Sequence, residues 1–362
     1  MKSSVEKIYD TTPQAWAAML SSMREAKKSI FWEVYILIDD ETGNQFFDVL
    51  MRKAREGVDV KLVVDYWGSF ALSNNKINEL RQSGIDVRVF QPYKHPFHGI
   101  GLWLMSRTHR KLLIVDERIG FVGGVNVRHD MKDWDDIYVS LQGKIVRSLV
   151  RSFAKLYVKA GGDREKVSPM LEYDHRVRNT LFDFVYDHPR VQLYSKVKQK
   201  YIEALMKARE KVILFSPYYF PDKEFLKAIW EARQRGVHID LLIPFRTDHR
   251  FATWMSYAWF SLMKKWGVKI HLLKNMMHGK GMVVDDDEAI IGSSNIEYAS
   301  FYHNHEVNLL MHDRRMAGKL KRILHRWMRS AKSLDDIKFE DRGYIQKFFE
   351  RISAWLYRLW FD

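Results

Sequence analysis

Cysteine is absent from the 362 residues. That excludes disulfides, thiolate metal sites and a cysteine nucleophile, and it is compatible with a reducing compartment. Long apolar runs are absent as well. No stretch reaches the roughly eighteen apolar residues of a membrane-spanning helix, and residues 1–14 carry no apolar core of the kind a secretory signal needs. Acidic residues are in deficit, 45 against 59 Lys and Arg, which leaves a net charge of +14 and a pI near 9.6. A polyanionic partner follows, either nucleic acid or an anionic membrane surface. The excess charge comes with 12 Trp, 21 Phe and 16 Met. Basic plus aromatic describes proteins that sit at a bilayer interface, and it describes equally well a basic soluble enzyme with a large aromatic core. At 46% hydrophobic and 29% charged, the chain has the balance of a folded protein, long enough for a large core or two domains.

Internal repetition decides the architecture. Residues 29–37 read as a buried strand with a counterpart at 212–220; residues 56–65 match 235–244, and 84–90 match 267–273. A helix with an apolar face separates successive strands, and Gly before an alternating β-branched run is the helix stop and strand start of βαβ units. Gly57 precedes Gly236 by 179 residues and Gly84 precedes Gly267 by 183. His109, Lys111, Asp116, Gly123 and Asn126, however, each lie 169 before His278, Lys280, Asp285, Gly292 and Asn295. One register therefore covers the whole polar set, and the first half carries 14 extra residues within 91–108, just before its motif. The expected fold is α/β, two pseudo-symmetric α-β-α sandwich halves with the active site at their interface. The halves are expected at 1–165 and 191–335, joined by a connection at 166–190 and followed by an amphipathic C-terminal helix at 336–362.

A lone His-x-Lys on a strand is ordinary surface. Two copies at one spacing, each followed at the same distance by Gly and Asn, are not explained by packing. On a strand, His109 and Lys111 face the same way while Asp116 faces the other, so Asp116 and Asp285 are expected to support rather than react. Two His, two Lys and two Asn across a pseudo-twofold axis make a phosphate site. The Lys supply charge and the Asn supply donors to the equatorial oxygens. One neutral His attacks phosphorus while the other protonates the leaving alkoxide, chemistry that asks for no metal or other cofactor. Each His needs an acidic partner on its other ring nitrogen, and Asp136 and Glu306 stand at nearly matching places, 170 apart. Other histidines, His95, His98, His129, His303 and His305, have no spacing suited to a metal.

These residues resemble the phospholipase D superfamily, whose signature is His-x-Lys-x4-Asp twice in one chain, each followed by a small-residue turn and Asn. The resemblance covers nearly all of residues 5–335. Gly123-Gly124-Val125-Asn126, Trp134-Asp135-Asp136 and Gly292-Ser293-Ser294-Asn295 look like bacterial cardiolipin synthases of a short, peripheral type. The resemblance implies a phosphohistidine intermediate, His109 as nucleophile with His278 as acid, and transfer of a phosphatidyl group to an alcohol or to water. The expected partner is an anionic phospholipid, phosphatidylglycerol, at the cytoplasmic face of a bacterial inner membrane. One departure weakens the acceptor's identity. Where such synthases usually read Asn-Leu-Asp-x-x-Ser, this chain reads Asn295-Ile296-Glu297-Tyr298-Ala299-Ser300.

Two segments bear on lipid. The tail places Ile345, Phe348, Phe349, Ile352, Trp355, Leu356 and Leu359 on one helical stripe, which fits an interfacial helix or one docked on the core. The insertion carries flexible glycines and apolar residues beside the expected mouth, as a lid or acyl-chain guide needs. Residues 251–263 read as a core helix whose first turn lines the substrate groove. The leading reading is a cardiolipin-forming phosphatidyltransferase with phospholipase D hydrolysis as a side reaction. Its alternatives are a nucleic-acid phosphodiesterase and a non-catalytic membrane-binding module.

Overall fold

The computed structural model describes residues 4–91, 106–173, 181–187, 195–337 and 339–341, with single positions at 343, 344, 347, 348, 351, 352 and 355. The expected apolar insertion, apart from its ends, lies outside the described residues, as do His95, His98 and most of the expected C-terminal helix.

The first half runs β1 (Ser4–Thr11), α1 (Thr12–Glu25), β2 (Ser29–Val34), α2 (Glu41–Arg55), β3 (Asp59–Asp65), α3 (Asn74–Gln82), β4 (Asp86–Phe90), β5 (Leu112–Val115), β6 (Ile119–Gly123), β7 (Asp135–Gln142) and α4 (Ile145–Lys159). The second begins with β8 (Phe182–Asp187), α5 (Lys196–Lys207), β9 (Lys211–Phe215), β10 (Tyr219–Phe220) and α6 (Lys223–Gln234). It continues through β11 (His238–Pro244), α7 (Arg250–Lys265), β12 (Lys269–Leu273), β13 (Gly281–Val284), β14 (Glu288–Gly292), β15 (Ile296–Glu297), β16 (Glu306–Met311) and α8 (Arg314–Arg329).

Two seven-stranded sheets result, ordered β1-β7-β6-β5-β2-β3-β4 and β8-β16-β14-β13-β9-β11-β12. Position by position the orders correspond, so the duplication read in the sequence is a duplication of topology. β2, β3 and β4 are parallel, as are β9, β11 and β12. Every residue of β2 is buried, which is why it reads as an apolar run without alternation. Gly57 and Gly236 close the helices before β3 and β11 at φ 86° and 88°, a left-handed conformation that a Cβ disfavours.

Helices cover both faces of each sheet. α1 and α2 pack on the first sheet with Trp16, Met19, Phe46, Phe47 and Leu50. α5, α6 and α7 pack on the second with Tyr201, Leu205, Phe225, Ile229 and Phe260. Between the sheets lies one continuous core, to which α4 brings Leu149, Phe153 and Leu156 and α8 brings Met316, Leu320, Leu324 and Trp327. On α8 these four recur at spacings of three and four, one stripe of an amphipathic helix. Phe153 stacks on Phe31 with ring centroids 5.2 Å apart, and removing such a buried ring costs about 3–5 kcal/mol. The halves are therefore joined by core, not by a linker alone. Among the described residues no helix is long and apolar enough to cross a membrane.

Two details differ from the sequence reading. The motif strands begin later than expected, at Leu112 and Gly281, after the His and Lys. The cause is that the residues before them pair with the opposite half. The acidic ends, Asp116 and Asp285, have left the strand altogether, in left-handed turns at φ 54° and 47°. Strand parity is thus not what separates them from the His and Lys. The stretch 166–190 also contains β8, which pairs along its length with β16 as an edge of the second sheet.

Candidate active site

Each motif is held by the other half. His109 N–H donates to the His305 carbonyl (3.1 Å) and His305 N–H to the Arg107 carbonyl (2.8 Å). In mirror fashion His278 N–H donates to the Asp135 carbonyl (2.7 Å) and Asp135 N–H to the Met276 carbonyl (3.0 Å). The next residues along, Glu306 and Asp136, are thereby carried across the interface beneath the histidines. His109 Nδ1 lies 3.0 Å from Glu306 Oε1, and His278 Nδ1 lies 2.9 Å from Asp136 Oδ2. A carboxylate at Nδ1 makes that nitrogen the donor and leaves Nε2 with its lone pair. The acids are themselves fixed. Asp136 Oδ1 accepts the Ile137 N–H at 2.7 Å, and Glu306 Oε2 accepts the Ser293 hydroxyl.

The turns that follow the motifs explain their small residues. A Cβ on Gly124 would sit 2.2 Å from Asp136 Oδ1 and 2.9 Å from the His278 carbonyl oxygen, so glycine admits the acid. In the second copy that position is Ser293, the donor to Glu306. What these small residues admit is the carboxylate beneath the histidine.

Lys111 and Lys280 are buried, and each donates back to the carbonyl of its own motif histidine, Lys111 Nζ to His109 at 2.7 Å and Lys280 likewise to His278. Burial and mutual repulsion dominate the site. His109 is pushed down to about 4, first by burial and then by Lys111. His278 is driven well below the usual histidine range by burial and by both lysines. Burial also brings Lys280 down to about 8 and raises Asp136 to about 6. Lys111 is depressed well below an ordinary lysine by burial and by Lys280. The centre is thus suited to an anion. Burial and the neighbouring lysines disfavour positive charge on Lys111, Lys280 and both imidazoles, and a phosphate placed among them would relieve that.

Asn126 accepts the Ile36 N–H on its amide oxygen (3.2 Å), so its NH2 end is the one that can serve an anion. Asn295 Nδ2 donates to Glu297 Oε1 at 2.7 Å. Asp116 and Asp285 lie at the far ends of β5 and β13. Asp116 accepts the N–H groups of Lys27, Lys28 and Ser29 at 2.7–3.0 Å, and Asp285 those of Arg209, Glu210 and Lys211 at 2.7–2.9 Å. Burial pulls these carboxyls up, but three backbone donors outweigh it and hold both below the ordinary aspartate value. Each fixes where the neighbouring strand, β2 or β9, begins.

Besides Trp134, quoted above for the resemblance, several residues at the site were not singled out in the sequence. Tyr35 stands edge-on to His109 (5.0 Å, 72°) with Lys111 5.1 Å from its ring centroid. Trp134 lies 5.3 Å from the His278 ring. Asp65, buried, binds Arg107 through Nε (3.1 Å) and Nη2 (2.8 Å) and accepts the Thr108 N–H at 2.9 Å, next to His109. The strand pairings relate β2 to β9 by 182 residues and set Tyr35 against Pro217, so no repeat marked it.

Comparison with known proteins gives the family and the fold. The sequence matches the family described as cardiolipin synthase, PLD-like domain, over residues 19–157 and 201–328. A cardiolipin synthase of Geobacillus thermodenitrificans is 31% identical over 355 residues, covering 95% of this chain and 70% of that one. A cardiolipin synthase of Staphylococcus aureus is 29% identical over 360 residues, covering 97% of this chain and 72% of its own. Among solved structures, phosphatidylserine synthase of Haemophilus influenzae superposes with a TM-score of 0.74 at 13% identity, over 97% of this chain and 91% of that one. Polyphosphate kinase of Porphyromonas gingivalis superposes with a TM-score of 0.61 at 15% identity, over 91% and 48%. At such identities the two structures share the fold.

Proposed function

We propose, from the premise that the chain belongs to the cardiolipin synthase family of phospholipase D-like proteins, that it moves a phosphatidyl group between two molecules of phosphatidylglycerol. The products are cardiolipin and glycerol, with hydrolysis to phosphatidic acid as the side reaction. One observation carries the mechanism: each histidine is oriented through Nδ1 by a carboxylate of the opposite half, so two Nε2 atoms are offered to one phosphate. His109 Nε2 attacks phosphorus while His278 protonates the departing glycerol oxygen. The hydroxyl of a second phosphatidylglycerol then attacks the phosphohistidine, giving its proton to His278, and the P–N bond breaks to free His109. Lys111, Lys280, Asn126 and Asn295 balance the charge on the phosphoryl oxygens.

The phosphate is in place before His278 must act as an acid. Its negative charge between the two lysines raises the proton affinity of His278, offsetting the burial and the lysines that push it down.

The substrate lies in a bilayer, and we place the enzyme peripherally on the cytoplasmic face of the bacterial inner membrane. Supporting this, Trp67 and Phe70 in the loop after β3 are 54% and 78% exposed, an amphipathic arrangement suited to a headgroup layer. That loop is tied to the motif, since Asp65 accepts the N–H groups of Trp67 and Gly68 as well as holding Arg107 and Thr108. Purified protein on phosphatidylglycerol vesicles should yield cardiolipin and glycerol by mass analysis. Absence of both cardiolipin and phosphatidic acid would sink the reading.

A further inference from the structure

Transfer needs two ligands at one centre, a phosphate and a hydroxyl that attacks it. The duplicated residues serve the phosphate. We infer that Glu297, with Asn295 beside it, forms a subsite for a polyol acceptor, in the cavity bounded by Tyr218, Phe220, His249 and Ala252; this rests on the transferase function proposed above.

Glu297 ends β15, which pairs with β10 beside the start of α7. Its carboxylate accepts from Asn295 Nδ2 (2.7 Å) and Ser300 Oγ (3.4 Å), and among the described residues no basic side chain forms an ion pair with it. Burial is the main reason its carboxyl is pushed up to about 7. A carboxylate here repels a phosphate, so it is the wrong group for the donor's charge and the right one for an O–H. The cavity has a volume of about 370 Å³, at the small end for ligand pockets, a size for a headgroup rather than acyl chains. Its other polar wall groups are engaged by Asp248, to which the Tyr218 hydroxyl donates at 2.5 Å and beside which His249 Nε2 lies at 3.6 Å. Asn295 Oδ1, by contrast, is buried without a hydrogen-bond partner. The Glu297 carboxylate, held by Asn295 Nδ2, is thus the acceptor that the cavity wall offers, which suits a hydroxyl of a polyol.

The subsite is one-sided. The residue 169 before Glu297 is Arg128, a cation engaged by Asp130 at 2.6 Å. The acceptor therefore enters on the second half. One of its hydroxyls attacks phosphorus and passes its proton to His278, while Glu297 holds the neighbouring hydroxyl and takes no proton.

Competition between two alcohols tests this. With phosphatidylglycerol as donor, deuterated glycerol and ethanol are supplied together, and mass spectrometry reads the ratio of deuterated phosphatidylglycerol to phosphatidylethanol. Both products draw on one covalent intermediate, so any effect of Glu297 through Asn295 on the first step cancels in the ratio. Glu297→Ala should lower the ratio about tenfold or more, the loss of a charge-assisted hydrogen bond. Glu297→Gln, which keeps an acceptor and the shape, should fall between that and the unchanged protein. A ratio unaltered in both variants overturns the subsite and leaves the transferase standing; an unchanged protein that makes neither product overturns both.

Discussion

The two halves agree wherever the phosphate is concerned and differ in how they support it. Strand order, the His and Lys, the acid carried across the interface and the aspartate capping the neighbouring strand all recur. Beneath His109, however, lie two buried ion pairs, Asp65 with Arg107 (2.8 Å) and Glu33 with Arg110 (3.0 Å). The register and the strand pairings set Pro244, Met276, Phe215 and Gly279 at the matching positions of the second half. A Cβ on Gly279 would meet Ile137 and Phe215 at 3.1 and 3.3 Å, so side chains from both halves fill that space. The second half instead holds Glu297 and the cavity. On the proposed function, symmetry is kept where one anion would be gripped from two sides, and lost where donor and acceptor would have different needs.

The largest expected effect tests the symmetric part. His109→Ala and His278→Ala should each lower turnover on phosphatidylglycerol by on the order of 10⁴-fold or more, because nucleophile and acid act as one unit. A soluble phosphodiester with a nitrophenolate leaving group separates them, since that group departs without a proton. His278→Ala should still release a burst of nitrophenolate, and His109→Ala should not. A burst from the second variant alone would exchange the roles.

Next comes the asymmetric support. Arg107→Ala strands Asp65 in the core, an uncompensated buried charge worth about 3–5 kcal/mol of stability. Its counterpart Met276→Leu conserves volume and should cost under about 1.5 kcal/mol. Urea unfolding of the two variants measures the difference, and equal losses would show that the ion pair is dispensable. Smaller again are the caps. Asp116→Ala and Asp285→Ala each leave three backbone donors to water, and each should cost about 1–3 kcal/mol with kcat nearly intact. A marked inequality between them would break the correspondence of β2 and β9.

Much of this was legible in the sequence, and the limits have physical causes. The repeat, the alternation of strands and helices and the 169-residue register are local or linear properties, and the sheets follow them. The crossing of acids between halves is not linear. Asp136 and Glu306 are 170 apart, and only the backbone bonds at Thr108–His305 and Asp135–Met277 decide which histidine each serves. Asp65 and Arg107 are separated by 42 residues and belong to no repeat, so nothing marked them as partners. The edge strand β1 alternates weakly, with only Val5 and Tyr9 among its eight residues buried, and its pairing with β7 had no signal of its own. Asp116 was assigned its supporting role from parity along a strand that ends one residue before it. The turn and the backbone bonds it makes supply the actual reason.

The smallest expected effect is in the pH profile, where the groups around His278, one from each half, should set both limbs. Asp136, raised to about 6, must be ionised to hold the His278 Nδ1–H, so kcat/KM should fall as pH drops through about 6. Lys280, lowered to about 8, must be protonated to bind phosphate, so kcat/KM should also fall as pH rises through about 8. Each limb amounts to no more than tenfold per pH unit. Bound phosphate favours the charged ammonium, so the alkaline limb of kcat should lie above that of kcat/KM. Lys280→Arg replaces the titrating group with one charged throughout and should carry the alkaline limb of kcat/KM upward, whatever it does to the maximum. Lys111→Arg should leave that limb near 8. The opposite pairing of variants and limbs would assign the phosphate's titrating lysine to the first half.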